Sequence, residues 1–143
     1  MSAGSHFARR GFTLAELLTV LVVLAVLAAV AVPLWHAHLL RVRRADATGA
    51  LIALQAAQDQ YFGRNARYAD ARQLGLRNVS AHDFYDLKIR VSDDGLAYLA
   101  TARAAQRTGQ DGDARCAEFT LDQNDRRRAV DAEGNDRSAD CWH

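Results

Sequence analysis

Arg9-Arg10-Gly11-Phe12-Thr13-Leu14-Ala15-Glu16-Leu17-Leu18 leads into a nearly unbroken apolar run that ends at Trp35, interrupted only by Thr19 and Pro33. About 20 apolar residues is the length a bilayer core requires. The 143-residue chain otherwise has the composition of one modest soluble domain, too small to bury such a run. A secretory signal places its small residues after the apolar region and is cut there. Here the small residue, Gly11, comes first, so a cut at Gly11 removes the polar leader and keeps the hydrophobic segment. Glu16 is the anomaly. A carboxylate near the head of a membrane helix is costly and usually has a partner. Cleavage after Gly11 makes Phe12 the new N-terminus and supplies an ammonium for that role, in the same chain or from a neighbouring subunit. A lone glutamate there reads as solvated among headgroups; the whole run from Arg9 to Glu16 tips the reading toward the paired one.

Gly11-Phe12-Thr13-Leu14-Ala15-Glu16-Leu17-Leu18 resembles the class III signal of type IV prepilins and pseudopilins. The resemblance implies that a prepilin peptidase cuts between Gly11 and Phe12 and methylates the Phe12 amine. It also implies that Glu16 guides assembly, and Pro33 sits where the family carries a helix proline. The motif covers about residues 9–35. The run Gln58-Asp59-Gln60-Tyr61-Phe62 with Arg67-Tyr68-Ala69 is similar to the helix-to-loop region of PilE-like minor pilins. Arg9 and Arg10 precede the span while Arg41, Arg43 and Arg44 follow it, so charge alone does not orient it. The prepilin motif and the cysteines place the leader in the cytoplasm and the C-terminal domain in the periplasm.

Beyond the span, Ala47, Ala50, Leu51, Leu54, Ala57, Gln58 and Tyr61 recur at helical spacing. A helix from about Thr13 to Phe62 is expected, roughly 75 Å long at 1.5 Å per residue. Pro33 should kink it, Arg41, Arg43 and Arg44 should snorkel at the polar boundary, and Gly63 or Asn65 should stop it. An ordered loop to about His82 follows, pinned by Tyr61, Phe62, Tyr68 and Leu74. Alternation then marks strands at Leu87–Val91, Tyr98–Ala102, Ala117–Leu121 and Arg127–Val130, with turns at Asp93-Asp94-Gly95 and Gln123-Asn124-Asp125. Gln106 to Arg115 reads as a polar loop. The expected fold is α+β and type IV pilin-like: a long N-terminal helix packed on an antiparallel sheet of three to four strands, whose apolar face covers Leu51, Leu54 and Tyr61. The domain reading is leader 1–11, transmembrane or filament-core helix 12–35, amphipathic helix 36–62, and globular part 63–143. Cys116 and Cys141, outside the cytoplasm, read as one disulfide tying the C-terminal tail to the strand before Phe119. Its loop of about 26 residues is worth roughly 3 kcal/mol in the chain-entropy model.

From Asp46 onward there are thirteen basic and sixteen acidic side chains, a net of −3. That balance argues against a general nucleic-acid surface. Arg126-Arg127-Arg128 is the one dense basic patch; it reads first as a solvated hairpin arm neutralised by Asp122, Asp125 and Asp131, and second as a set of DNA contacts. His36 and His38 stand two apart and face different sides of a helix. Asp122-Gln123-Asn124-Asp125 lacks the glycine and glutamate of a calcium loop, and Gly109-Gln110-Asp111-Gly112 lacks the lysine of a phosphate loop. No metal site, cofactor or catalytic constellation is read, so the chain is taken as a non-enzyme. The leading expectation is a minor pilin, membrane-inserted first and then part of an extracellular type IV pilus, serving adhesion, twitching motility or DNA uptake. Its partners would be prepilin peptidase, other pilin subunits and an inner-membrane assembly platform. A type II secretion pseudopilin and a DNA-receptor pilin are the alternatives; the C-terminal cysteine pair resembles the disulfide-bounded loop of pilins and favours the pilus.

Overall fold

The structure is a computed structural model that describes residues 13–142. Helix α1 runs Leu14–Asn65 and continues through Pro33. Strands β1 (Tyr85–Val91), β2 (Tyr98–Ala104), β3 (Glu118–Asp122) and β4 (Arg127–Val130) follow, then the short helix α2 (Ser138–Cys141). The chain divides into two compact units at His36/Ala37, and α1 contributes to both.

In the N-terminal unit the leucines and valines of the helix face outward. Leu17, Leu21, Leu24, Leu27 and Val30 are all more than half exposed. In the C-terminal unit the helix is amphipathic: Ala47, Leu51, Leu54 and Gln58 are buried, while Ile52 is exposed.

The sheet is a four-stranded antiparallel meander, β1-β2-β3-β4. Its core face carries Tyr85, Ala100, Ala102, Phe119, Leu121 and Ala129. The register sets small against large: Ala102 opposes Phe119, Ala100 opposes Leu121, and Phe119 opposes Ala129. The Tyr85 and Phe119 rings meet edge to face at 5.7 Å, a favourable quadrupole arrangement. The β1–β2 turn needs Gly95, whose φ is +72° and whose added Cβ would come 3.0 Å from Arg67 Cβ.

Four expectations change. The helix passes Gly63 and ends three residues beyond Phe62. It ends at Asn65, one of the two stops expected, whose Nδ2 donates to Tyr61 C=O at 2.9 Å; Ala66, at φ 53°, closes the end by donating its N–H to Phe62 C=O at 2.8 Å. The loop after it is pinned by Leu76 rather than Leu74, together with Tyr68, whose ring lies 4.7 Å from Phe62 and 4.8 Å from Tyr98. Tyr61 is only half-buried. Gln58 takes the expected place of Tyr61 in the core: its amide donates to Ala69 C=O at 2.7 Å and accepts from Ala69 N–H at 2.9 Å. Gln106 to Arg115, expected to be a polar loop, is taken up by three short 3-10 turns within 106–116. They are anchored by buried Gln110, whose amide donates to Leu40 C=O at 3.1 Å and Tyr85 Oη at 3.0 Å.

Candidate functional site

Gly11 and Phe12 lie outside the described residues. Thr13 is the first of those, and it begins a capping box with Glu16. Thr13 N–H and Oγ1–H both donate to Glu16 Oε2 at 2.9 Å, and Glu16 N–H donates back to Thr13 Oγ1 at 3.3 Å. Thr13 C=O accepts the first helical bond, from Leu17 N–H at 3.2 Å. Two helix-start donors that a bilayer leaves unsatisfied are thereby paired. Glu16 therefore has a local role besides the ammonium partnership read from the sequence. Thr-x-x-Glu before an apolar run was the available signal for it. Oε1 makes no hydrogen bond among the described residues.

Two of the three arginines after the span, Arg43 and Arg44, do more than snorkel. Arg44 makes a two-pronged pair with Asp113, Nε to Oδ2 at 2.7 Å and a terminal nitrogen to Oδ1 at 2.9 Å. That carboxylate holds the guanidinium above its ordinary range. Arg43 lies 4.4 Å over the Phe84 ring. Asp46 accepts from Ser80 Oγ and pairs with His82 Nδ1 at 3.0 Å. These contacts fix the loop 78–84 and the 3-10 segment to the helix.

Cys116 and Cys141 form the expected disulfide, with Cα atoms 5.9 Å apart. Both are buried beside Phe119 and Trp142. The arginine arm meets one of its three expected partners, Asp125, and not the other two. Arg127 pairs with Asp125 at 3.1 Å and lies over the Trp142 ring at 5.6 Å. Arg128 pairs with Asp136 at 3.6 Å. Asp131, read as a partner of the arm, instead pairs with Arg137 at 3.2 Å and accepts from Asn135 N–H at 2.8 Å. Asp122 spends its carboxylate on its own turn, accepting from the N–H groups of Asn124 and Arg126. Arg126 has no ion-pair partner among the described residues.

A family model described as "Prokaryotic N-terminal methylation motif" matches residues 7–32. A second, described as "Type IV minor pilin ComP, DNA uptake sequence receptor", matches residues 33–120. The type IV major pilin protein PilA of Myxococcus xanthus (strain DK1622) is 39% identical over 68 residues, 47% of this chain and 31% of that protein. The chain thus spans about a third of the curated relative it matches. A type IV pilin from Shewanella oneidensis, solved at high resolution, aligns with a TM-score of 0.52 at 18% identity, covering 73% of this chain and 98% of that one. That likeness shows the fold: a long N-terminal helix with a four-stranded antiparallel sheet. None of these matches favours the pseudopilin alternative. Because the longer match takes in more than half of its residues, the chain belongs to the ComP family of type IV minor pilins.

Proposed function

We propose that the chain is a non-enzymatic minor subunit of a type IV pilus, stored as a single-pass inner-membrane precursor with its C-terminal domain in the periplasm. Prepilin peptidase cuts between Gly11 and Phe12 and methylates the new amine. An inner-membrane platform then moves the subunit among other pilins into the extracellular filament. The observation that carries this reading is the uncovered helix. Its leucines and valines from Leu14 to Leu34 are about half exposed or more, and each is worth about 1.5–3 kcal/mol when fully buried. Lipid covers them first and neighbouring helices afterwards. Glu16 divides its work: Oε2 caps the helix through Thr13, and Oε1 is left for the Phe12 ammonium of its own or an adjacent subunit.

Two variants test this. Glu16→Gln keeps an oxygen for Thr13 but loses the charge; Glu16→Ala loses both. Both should be cleaved normally, and both should enter filaments poorly. Normal incorporation of Glu16→Gln would reduce the residue to a capping role. Mass spectrometry of the native protein should find an N-methylated Phe12 terminus.

The description of the matching family favours a second reading, in which the pilin binds duplex DNA during uptake. The match ends at residue 120, before Arg126-Arg127-Arg128, and only Arg126 of the three is without an ion-pair partner among the described residues. If the arm touches phosphates, gel-shift affinity should fall steeply with salt, and Arg126→Ala should flatten that slope by about one unit. Scoring piliation, twitching, adhesion, secretion and DNA uptake in a deletion strain separates these outcomes.

A further inference from the structure

The segment before β1 begins a fifth strand and then leaves it. Ser80 N–H donates to Tyr85 C=O at 2.9 Å and Leu87 N–H donates to Asn78 C=O at 2.7 Å, which brackets an antiparallel bridge between Val79 and Asp86. The pairing does not continue, because Leu76 N–H turns back to Ala71 C=O at 3.2 Å. In an antiparallel ladder alternate residues send their main-chain groups to opposite sides. Tyr85 and Leu87 show that the odd residues of β1 serve this edge. Ile89 and Val91 therefore aim their N–H groups at it, and neither N–H has an acceptor among the described residues. Beside them runs an open groove of about 820 Å3, lined by Ala71, Asn78, Lys88, Ile89, Arg90 and Arg103 among others.

The even residues of β1 project onto the outer face of the sheet. Lys88 and Arg90 are exposed there and have no ion-pair partner among the described residues. Arg103 reaches Glu118 only at 3.9 Å. Asp86 is already engaged by Arg107 at 2.6 Å. A strand added to this edge would set its own alternate side chains directly beside Lys88 and Arg90. We propose that the free edge of β1 is a strand-addition site for an extended segment of a partner protein that carries acidic residues at every second position. Main-chain bonds to Ile89 and Val91 supply the attachment, and the cationic face selects the sequence. This site stands independently of the pilus reading, since it uses only the C-terminal unit.

The test uses the full chain in detergent micelles, with amide exchange followed residue by residue. The probe is a capped octapeptide of alternating Thr and Glu; a Thr-Lys octapeptide and a mixed-sequence DNA duplex are separate arms. The Thr-Glu peptide should slow exchange at Ile89 and Val91 by about tenfold or more, and the Thr-Lys peptide should leave both unchanged. The double variant Lys88→Glu/Arg90→Glu should lose the effect while the core amides of Ala100 and Ala102 stay protected. Ile89→Pro, which removes an edge donor without touching the ladder to β2, should abolish the slowing at Val91, the edge amide that remains. No protection at millimolar peptide, or equal protection by both peptides, would overturn the proposal. So would DNA perturbing Lys88 and Arg90 when neither peptide protects Ile89 and Val91; that result would assign the face to nucleic acid.

Discussion

Two side chains on the helix determine how the globular part is held, and they act through different physics. Asp113 is 5% exposed and its charge is met by Arg44, itself 13% exposed. Removing one member of a buried pair leaves the other uncompensated, which costs far more than the pair contributes. Arg44→Ala should therefore destabilise by about 2–4 kcal/mol in chemical denaturation. Arg44→Lys should recover little of it, because a lysine presents no fork to the carboxylate. Asp46 has a pH signature instead. Burial alone pushes its carboxyl up, but the Ser80 hydroxyl, the His82 ring and the His82 N–H outweigh that and hold it below its ordinary value of 3.8. As pH falls, the unfolded chain takes up this proton before the folded one does. The stabilisation is complete above about pH 4 and is lost as pH drops through the lower folded value. Asp46→Asn should lower thermal stability near pH 6 by about 1–2 kcal/mol. It should also flatten the decline below pH 4, a difference that parallel melting curves would read directly.

At the scale of elements, the helix end is the place where local conformation and residue type disagree. Ala66 holds the left-handed position that glycine fills without cost. Ala66→Gly should stabilise the domain by about 0.5–1 kcal/mol, measured by thermal unfolding, whereas the same change at an ordinary helix position would cost that much. Gly63, one of the two stops the sequence offered, lies inside the helix, which runs on to the other, Asn65. The contrast explains what was readable. Alternation at Leu87, Ile89 and Val91 and at Phe119 and Leu121 exposed the strands, because a half-buried sheet must repeat with period two. Asp93-Asp94-Gly95 showed its turn for an equally local reason. Spacing placed Gln58 on the inner stripe but not its partner, and Gln110 was invisible as a core residue, since a glutamine looks solvent-facing until the backbone groups it satisfies, Ala69 and Leu40, are brought beside it. The Arg44–Asp113 pair spans 69 positions, and nothing within one helix window foretells it. Thr13 and Glu16 are the opposite case: their spacing was plain, but the charge on Glu16 drew the reading away from its cap.

For the whole molecule, the division at His36/Ala37 separates two kinds of stability. Among the described residues, every buried apolar one, from Ala47 to Cys141, belongs to the C-terminal unit. The apolar segment before His36 contributes none of them, so it needs an external apolar medium. A chain beginning at Ala37 should then be soluble without detergent, keep the Cys116–Cys141 bridge, and unfold in one cooperative transition, as small domains usually do. Within it, Leu51→Ala should cost about 2–5 kcal/mol, because Leu51 is fully buried among Tyr85, Phe119 and Leu121. The full chain should aggregate when detergent is withdrawn, although its domain stays folded by amide exchange. If the shortened chain were instead molten, with collapsed chemical-shift dispersion, the segment before His36 would be part of the folding unit. Its exposure would then no longer point to a role in lipid and filament contact.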